Sequence, residues 1–193
     1  MASGLAAGSI HNARQPVRAP PSARLRSLNP GRVELAFGLE PERSDDVSQL
    51  DIPVILPRFL GIAVHENSNR NSVTRNSAIA NAGANITVRL GSAQNTIRNN
   101  TANESFIGIA VGYGDANGNT IQGNTATLNV LGIWLEADGT GNTIKGNTAL
   151  TNRDWDLGDQ NPGCDSNTWR NNKFSTDLVA FASDGGPRTG CIQ

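Results

Sequence analysis

One eight-residue pattern recurs five times in the second two-thirds of the chain, and it constrains the fold more than any other feature. It reads Asn71-Ser72-Val73-x-Arg75-Asn76-Ser77-Ala78, then Asn95-Thr96-Ile97-x-Asn99-Asn100-Thr101-Ala102 and Asn119-Thr120-Ile121-x-Gly123-Asn124-Thr125-Ala126. The last two copies are Asn142-Thr143-Ile144-x-Gly146-Asn147-Thr148-Ala149 and the more divergent Asn167-Thr168-Trp169-x-Asn171-Asn172-Lys173-Phe174. Successive copies are offset by 24, 24, 23 and 25 residues. A fixed period of this length marks a chain built from stacked supersecondary units.

Each unit reads as three short strands. Apolar residues alternate in Ile62/Val64, Ile86/Val88, Ile109/Val111 and Ile133/Leu135, as in a strand with one buried face. Val73, Ile97, Ile121 and Ile144 mark a second strand, and Ala78, Ala102, Ala126 and Ala149 a third. Three strands with polar or Gly turns make one coil of a β-solenoid, whose equivalent residues stack about 4.8 Å apart. Helical repeats are excluded, because no segment offers ten residues of 3.6-period apolar spacing without Gly or Asn.

Composition supports this reading. The chain holds 23 Asn and 21 Gly but only 5% aromatic residues. Asn76, Asn100, Asn124, Asn147 and Asn172 fall at the same turn of every unit. A carboxamide carries donors and an acceptor, so a stacked column of Asn satisfies turn backbone that would otherwise be buried unpaired. The preceding residue, Arg75, Asn99, Gly123, Gly146 or Asn171, should take a left-handed turn conformation. Arg75 fits this least well, which predicts a less regular first coil.

Composition changes near residue 58. Seven of nine prolines but only two of 23 Asn precede it. Residues 1–49 read as a disordered extension: acid-free and Arg-rich to residue 33, like a transit peptide in composition but better taken as a flexible tail. No secretory signal is visible, since Leu5-Ala6-Ala7 is too short an apolar core. Residues 50–60, with Ile52-Pro53-Val54-Ile55-Leu56-Pro57, read as an N-terminal cover over the exposed end of the core. The repeats occupy 61–178 and a tail 179–193.

The Gly-Ile-x-Leu and Gly-Asn-Thr-Ile-x-Gly-Asn-Thr-Ala patterns resemble right-handed single-stranded parallel β-helix proteins, of the pectate-lyase-like type with NosD-like repeats. The closing stretch, with Asp156-Leu157-Gly158-Asp159, Cys164-Asp165 and Cys191-Ile192, resembles the C-terminal coil of secreted bacterial members. The resemblance implies an extracytoplasmic, all-β solenoid of about five coils that often handles polysaccharide. Trp169 and Phe174, replacing aliphatic and Ala positions, should plug the last layer, with Trp155 adding to the plug. Cys164 and Cys191 are the only cysteines and are expected to pair; the alternative is two free thiols in a reducing compartment. No comparable cap is evident at the start.

Outward positions of the first strand form a column: Ala63/His65, Thr87/Arg89, Ala110/Gly112 and Trp134/Glu136. His65, Arg89 and Glu136 are the catalytic candidates. Arg89 and the acids could hold a uronate carboxylate directly or through a cation. Tyr113 and Trp134 could stack on sugar rings, with Asp115 and Asp138 as further ligand candidates. Exposed faces carry polar residues in any case, and the signatures of uronate epimerases and polygalacturonases are absent. Asp154, Asp156 and Asp159 could hold calcium but read better as turn formers. Two His and two Cys far apart give no zinc spacing, so no metal or other cofactor is expected.

The net charge of −1 argues against a nucleic-acid partner for the whole chain, and no apolar run is long enough to span a membrane. The reading is therefore an extracytoplasmic, monomeric, non-catalytic module that binds glycan or acts as a surface spacer. The competing reading is a lyase, hydrolase or epimerase acting on acidic polysaccharide. A third, ice binding, rests on the single outward file Ser72, Thr96, Thr120, Thr143 and Thr168.

Overall fold

A computed structural model describes residues 59–164, 166–179 and 190–193, with the backbone of two short strands at 32–35 and 46–48. The remainder of the extension, and the Ile52–Pro57 cover, lie outside the described residues.

The five units wind as a parallel β-solenoid. Coil 1 contains β3 (Leu60–His65), β4 (Ser72–Thr74) and β5 (Ser77–Ile79). Coil 2 contains β6 (Ala84–Val88), β7 (Thr96–Arg98) and β8 (Thr101–Asn103). Coil 3 contains β9 (Ile107–Val111), β10 (Thr120–Gln122) and β11 (Thr125–Thr127). Coil 4 contains β12 (Leu131–Leu135), β13 (Thr143–Lys145) and β14 (Thr148–Leu150). Coil 5 holds β15 (Trp155–Asp159) and β16 (Thr168–Arg170), joined through a short 3₁₀ turn at Pro162–Cys164.

Equivalent strands stack into three sheets, called A, B and C in their order around the coil. Sheet A continues past coil 5 with β17 (Asp177–Val179), parallel to β15. On the N-terminal side β1 (Arg32–Leu35) joins β3 antiparallel, and β2 (Asp46–Ser48) joins β4 in parallel. The stretch read as a disordered extension thus contributes two strands to the stack.

The register places like on like, as the repeat requires: Ile62 on Ile86, Ile86 on Ile109, Ile109 on Ile133, and Val73 on Ile97. These rows, with the Ala column of sheet C, are fully buried and form one continuous core. A short interior side chain in sheet C keeps that side of the coil close to the other two. Trp169 and Phe174 close the C-terminal mouth of the core, at 3% and 5% exposure. Trp155 is half-buried in a corner column, in register with Leu131, and adds nothing to the plug. Cys164 and Cys191 form a disulfide, which brings the fully buried Ile192 against the last layer.

Carboxamide stacking is more extensive than one column. Asn100 accepts at Oδ1 from the Asn76 backbone N–H and Nδ2, at 2.8 and 3.0 Å. It donates from Nδ2 to Asn124 Oδ1 and to the Val73 carbonyl. The same scheme runs on to Asn147 and Asn172. A second ladder runs Asn71, Asn95, Asn119, Asn142, Asn167 along another corner. A third involves Asn129 and Asn152. Each corner is thereby sealed by side chains that satisfy its own turn backbone.

Arg75 takes φ 58°, close to Asn99 at 55° and Gly123 at 65°. The first turn is therefore regular, contrary to its sequence. Stacking on the turn below holds Arg75 in a conformation that costs an L-residue roughly 1–2 kcal/mol.

Candidate functional site

Backbone bonds carry the outward column of sheet A from coil to coil: Arg89 N–H donates to Val64, Gly112 to Val88, and Glu136 to Val111. His65, Arg89, Gly112 and Glu136 therefore share one row. Their side chains do not converge. His65 is 7% exposed and its Nδ1 lies 3.5 Å from Glu66 Oε1. Glu136 turns toward the preceding coil, where Oε2 accepts from the Tyr113 backbone N–H at 3.3 Å. Gly112 stands between Arg89 and Glu136, which leaves those two strands about 10 Å apart.

The lack of a side chain at Gly112 is required. Its φ is 132°, and a Cβ there would collide with the Glu136 backbone, which closes over it. Arg89 stands at the end of the strand before that of Gly112 and Glu136 at the end of the strand after. Arg89 Nε is buried and takes no hydrogen bond among the described residues. Tyr113 follows at the rim, 59% exposed, with its carbonyl accepting from the Leu90 N–H. Asp115 and Asp138 occupy equivalent left-handed turn positions and are exposed.

Trp134 departs from the sequence reading. It points outward, in register with Gly158, and its six-membered ring lies where a Cβ of residue 158 would be. At 6% exposure it offers no open face for a sugar. Alternation alone predicts direction; it does not reveal that an indole finds a glycine beside it to lie on.

Of the three acids Asp154, Asp156 and Asp159, read as turn formers or calcium ligands, only Asp154 lies in a turn, and no cluster that could hold a metal ion gathers among the described residues. Asp154 is exposed and bonded to Arg153, and that hydrogen bond and charge hold its carboxyl below the ordinary range. Asp156 and Asp159 are buried strand residues. Asp156 accepts from Asn152 Nδ2 and from the N–H groups of Ser175 and Thr176. Asp159 accepts from Trp169 Nε1 at 2.9 Å, from Asn161 N–H and Nδ2, and from Asn167 Nδ2. The ladders donate toward the C-terminal end, so their last members need acceptors there, and a carboxylate supplies them without adding a donor. These two residues are structural terminators. Their signal in the sequence was a break in pattern: Asp156 stands at a Gly position and Asp159 in the Val/Leu row.

The architecture defines a parallel β-helix repeat protein, closed at its C-terminal end by an aromatic plug and a disulfide. A family model described as NosD, periplasmic copper-binding protein, matches residues 55–187, and the chain belongs to that family. No curated protein and no solved structure matches the chain. Family and disulfide both fit an extracytoplasmic location.

Copper prefers imidazole, thiolate and thioether donors. The chain has two His, one Met and two Cys, and both cysteines are consumed by the disulfide. Among the described residues His65 is the one imidazole, and no three His, Cys, Asp or Glu side chains gather to hold a metal ion. The donor set of the described coils does not fit the copper of the family description. No described helix is long and apolar enough to cross a membrane.

Proposed function

We propose that the protein is a non-catalytic, extracytoplasmic module that binds acidic glycan along the Arg89–Gly112–Glu136 row. The observation that carries this reading is the buried Arg89 Nε, unbonded among the described residues, beside a position that has no side chain. A guanidinium so placed donates to both oxygens of a sugar carboxylate in a bidentate pair. Tyr113 offers an apolar ring at the rim, where a sugar face can rest. Solenoid stacking holds the strands rigid, so little order has to be gained on binding.

The enzymatic alternative needs a nucleophile or base assembled with its partner around one reacting atom. His65 and Glu136 instead engage separate neighbours, Glu66 and the Tyr113 backbone. Retardation on gels containing polygalacturonate, alginate and other acidic glycans tests the binding reading. Retardation should be weakened in Arg89→Ala. Release of an ultraviolet-absorbing unsaturated product, abolished by the same substitution, would overturn it in favour of a lyase.

A further inference from the structure

Sheet B carries exposed charge of one sign. In β4, β7, β10, β13 and β16 the first and third residues point outward and the middle one is buried. The third-residue column reads Thr74, Arg98, Gln122, Lys145, Arg170, held in register by parallel pairing. Arg75 adjoins it at the turn into sheet C, Lys173 bridges to Thr148 beyond that turn, and Arg70 lies at the opposite border, bonded to Gln94. Across residues 70–79, 94–103, 118–127, 141–150 and 166–173, which build sheets B and C, there are six Arg or Lys and no Asp or Glu. The acids of the coils sit on sheet A and its flanking turns. Asp46 opens β2 at the far N-terminal edge, in register with Ser72 rather than with the cation column. None of the six cations is ion-paired among the described residues.

We propose that this stripe binds a linear acidic polysaccharide lying across the strands, along the solenoid axis. Lys145 and Arg170 stand one strand apart and Arg98 two strands before Lys145, so the charges fall on multiples of about 4.8 Å. A polyuronate carries one carboxylate per sugar ring, a repeat close to that spacing. The sheet is rigid and preorganised for it. Beside the cations, Thr96, Thr120, Thr143 and Thr168 present a file of hydroxyls that can both donate to and accept from sugar hydroxyls. Among the described residues the face has no aromatic platform for unstacked bases, since Trp169 points inward, and no apolar anchor for a bilayer. Charge complementarity therefore favours a hydroxyl-rich polyanion. This surface lies on a different sheet from the Arg89 row and does not depend on it.

The test is electrophoresis of the full chain in native gels cast with polygalacturonate at low salt, with titration calorimetry for the affinity. Retardation is expected, and it should disappear as salt shortens the Debye length to about 3 Å near 1 M. Arg98→Gln/Lys145→Gln/Arg170→Gln should weaken binding about tenfold, the combined worth of three exposed ion pairs, with unchanged circular dichroism. The single change Gln122→Glu, a carboxylate in mid-stripe, should also weaken it. Arg153→Gln, an equal loss of charge at an exposed site outside sheets B and C, should not. Absence of retardation overturns the proposal. So does retention that survives the triple variant but is lost in Arg89→Ala, which assigns binding to the Arg89 row alone. Tighter retention by single-stranded DNA or by anionic phospholipid vesicles overturns the polysaccharide assignment.

Discussion

Asn85 Oδ1 accepts a hydrogen bond from Asn81 Nδ2 at 2.8 Å, from a position where coils 1, 3 and 4 carry Gly61, Gly108 and Gly132. In those coils a Cβ would meet the side-chain amide of Asn81, Asn129 or Asn152 at 2.6–2.8 Å. In coil 2 the corresponding ladder residue is Ser105, which is shorter and makes room for Asn85. The two departures from the repeat thus compensate each other.

Their coupling is measurable. Asn85→Gly leaves Asn81 without its acceptor, and Ser105→Asn puts a second carboxamide into occupied space. Each single change should destabilise by about 1–3 kcal/mol in urea unfolding. Asn85→Gly with Ser105→Asn should restore stability close to that of the parent. Additive losses in the double variant would refute the compensation.

The terminal carboxylate at Asp159 makes a second prediction. Asp159→Ala removes the acceptor of four N–H donors, Trp169 Nε1 among them. A loss of about 3 kcal/mol is expected, since buried donors are left unpaired. Trp169 would gain contact with water, so a red shift of tryptophan emission should accompany the loss. Trp134 and Trp155 need Phe substitutions so that the emission can be assigned.

The disulfide anchors the segment whose Gln193 carbonyl accepts from Asn172 Nδ2 at 3.1 Å. Cys191→Ser should cost about 3.5 kcal/mol by the chain-entropy relation for a loop of this length. Amide exchange should accelerate first at Asn172 and its neighbours, because the end of that ladder opens. Reduction of the parent protein should destabilise it by a similar free energy, while leaving Cys191→Ser unmoved.

Arg75→Gly should raise stability by about 0.5–1 kcal/mol, because glycine takes the left-handed conformation at no steric cost. Equilibrium unfolding of this variant against the parent decides it. A loss would mean that the Arg75 side chain contributes more than its backbone strain removes.

The interior of the solenoid was legible in the residues. Ile62 and Val64, Val73 and Ala78 recur at a constant offset. Alternation tells which side of each strand is buried, and a column of Asn at every turn can only be accommodated by stacking. The site was less legible. His65, Arg89 and Glu136 do lie in one row, yet their partners, Glu66 and the Tyr113 N–H, could not be read from alternation. Two of the three carboxamide ladders are less legible as hydrogen-bonded columns: Asn71 recurs as plainly as Asn76, while the Asn81 position is interrupted by Ser105 in coil 2.

Local pattern specifies whatever every coil repeats, because each strand then meets a copy of itself and the register follows from that identity. Exceptions to the repeat have no copy to meet. Asp156 and Asp159 became interior acceptors, Trp134 lay down on Gly158, and Asn85 filled the room left by Ser105, each through a neighbour from another coil or from the closing end. Their roles were settled only when the stack brought those neighbours together, since hydrogen-bond partners and packing space are properties of position in three dimensions.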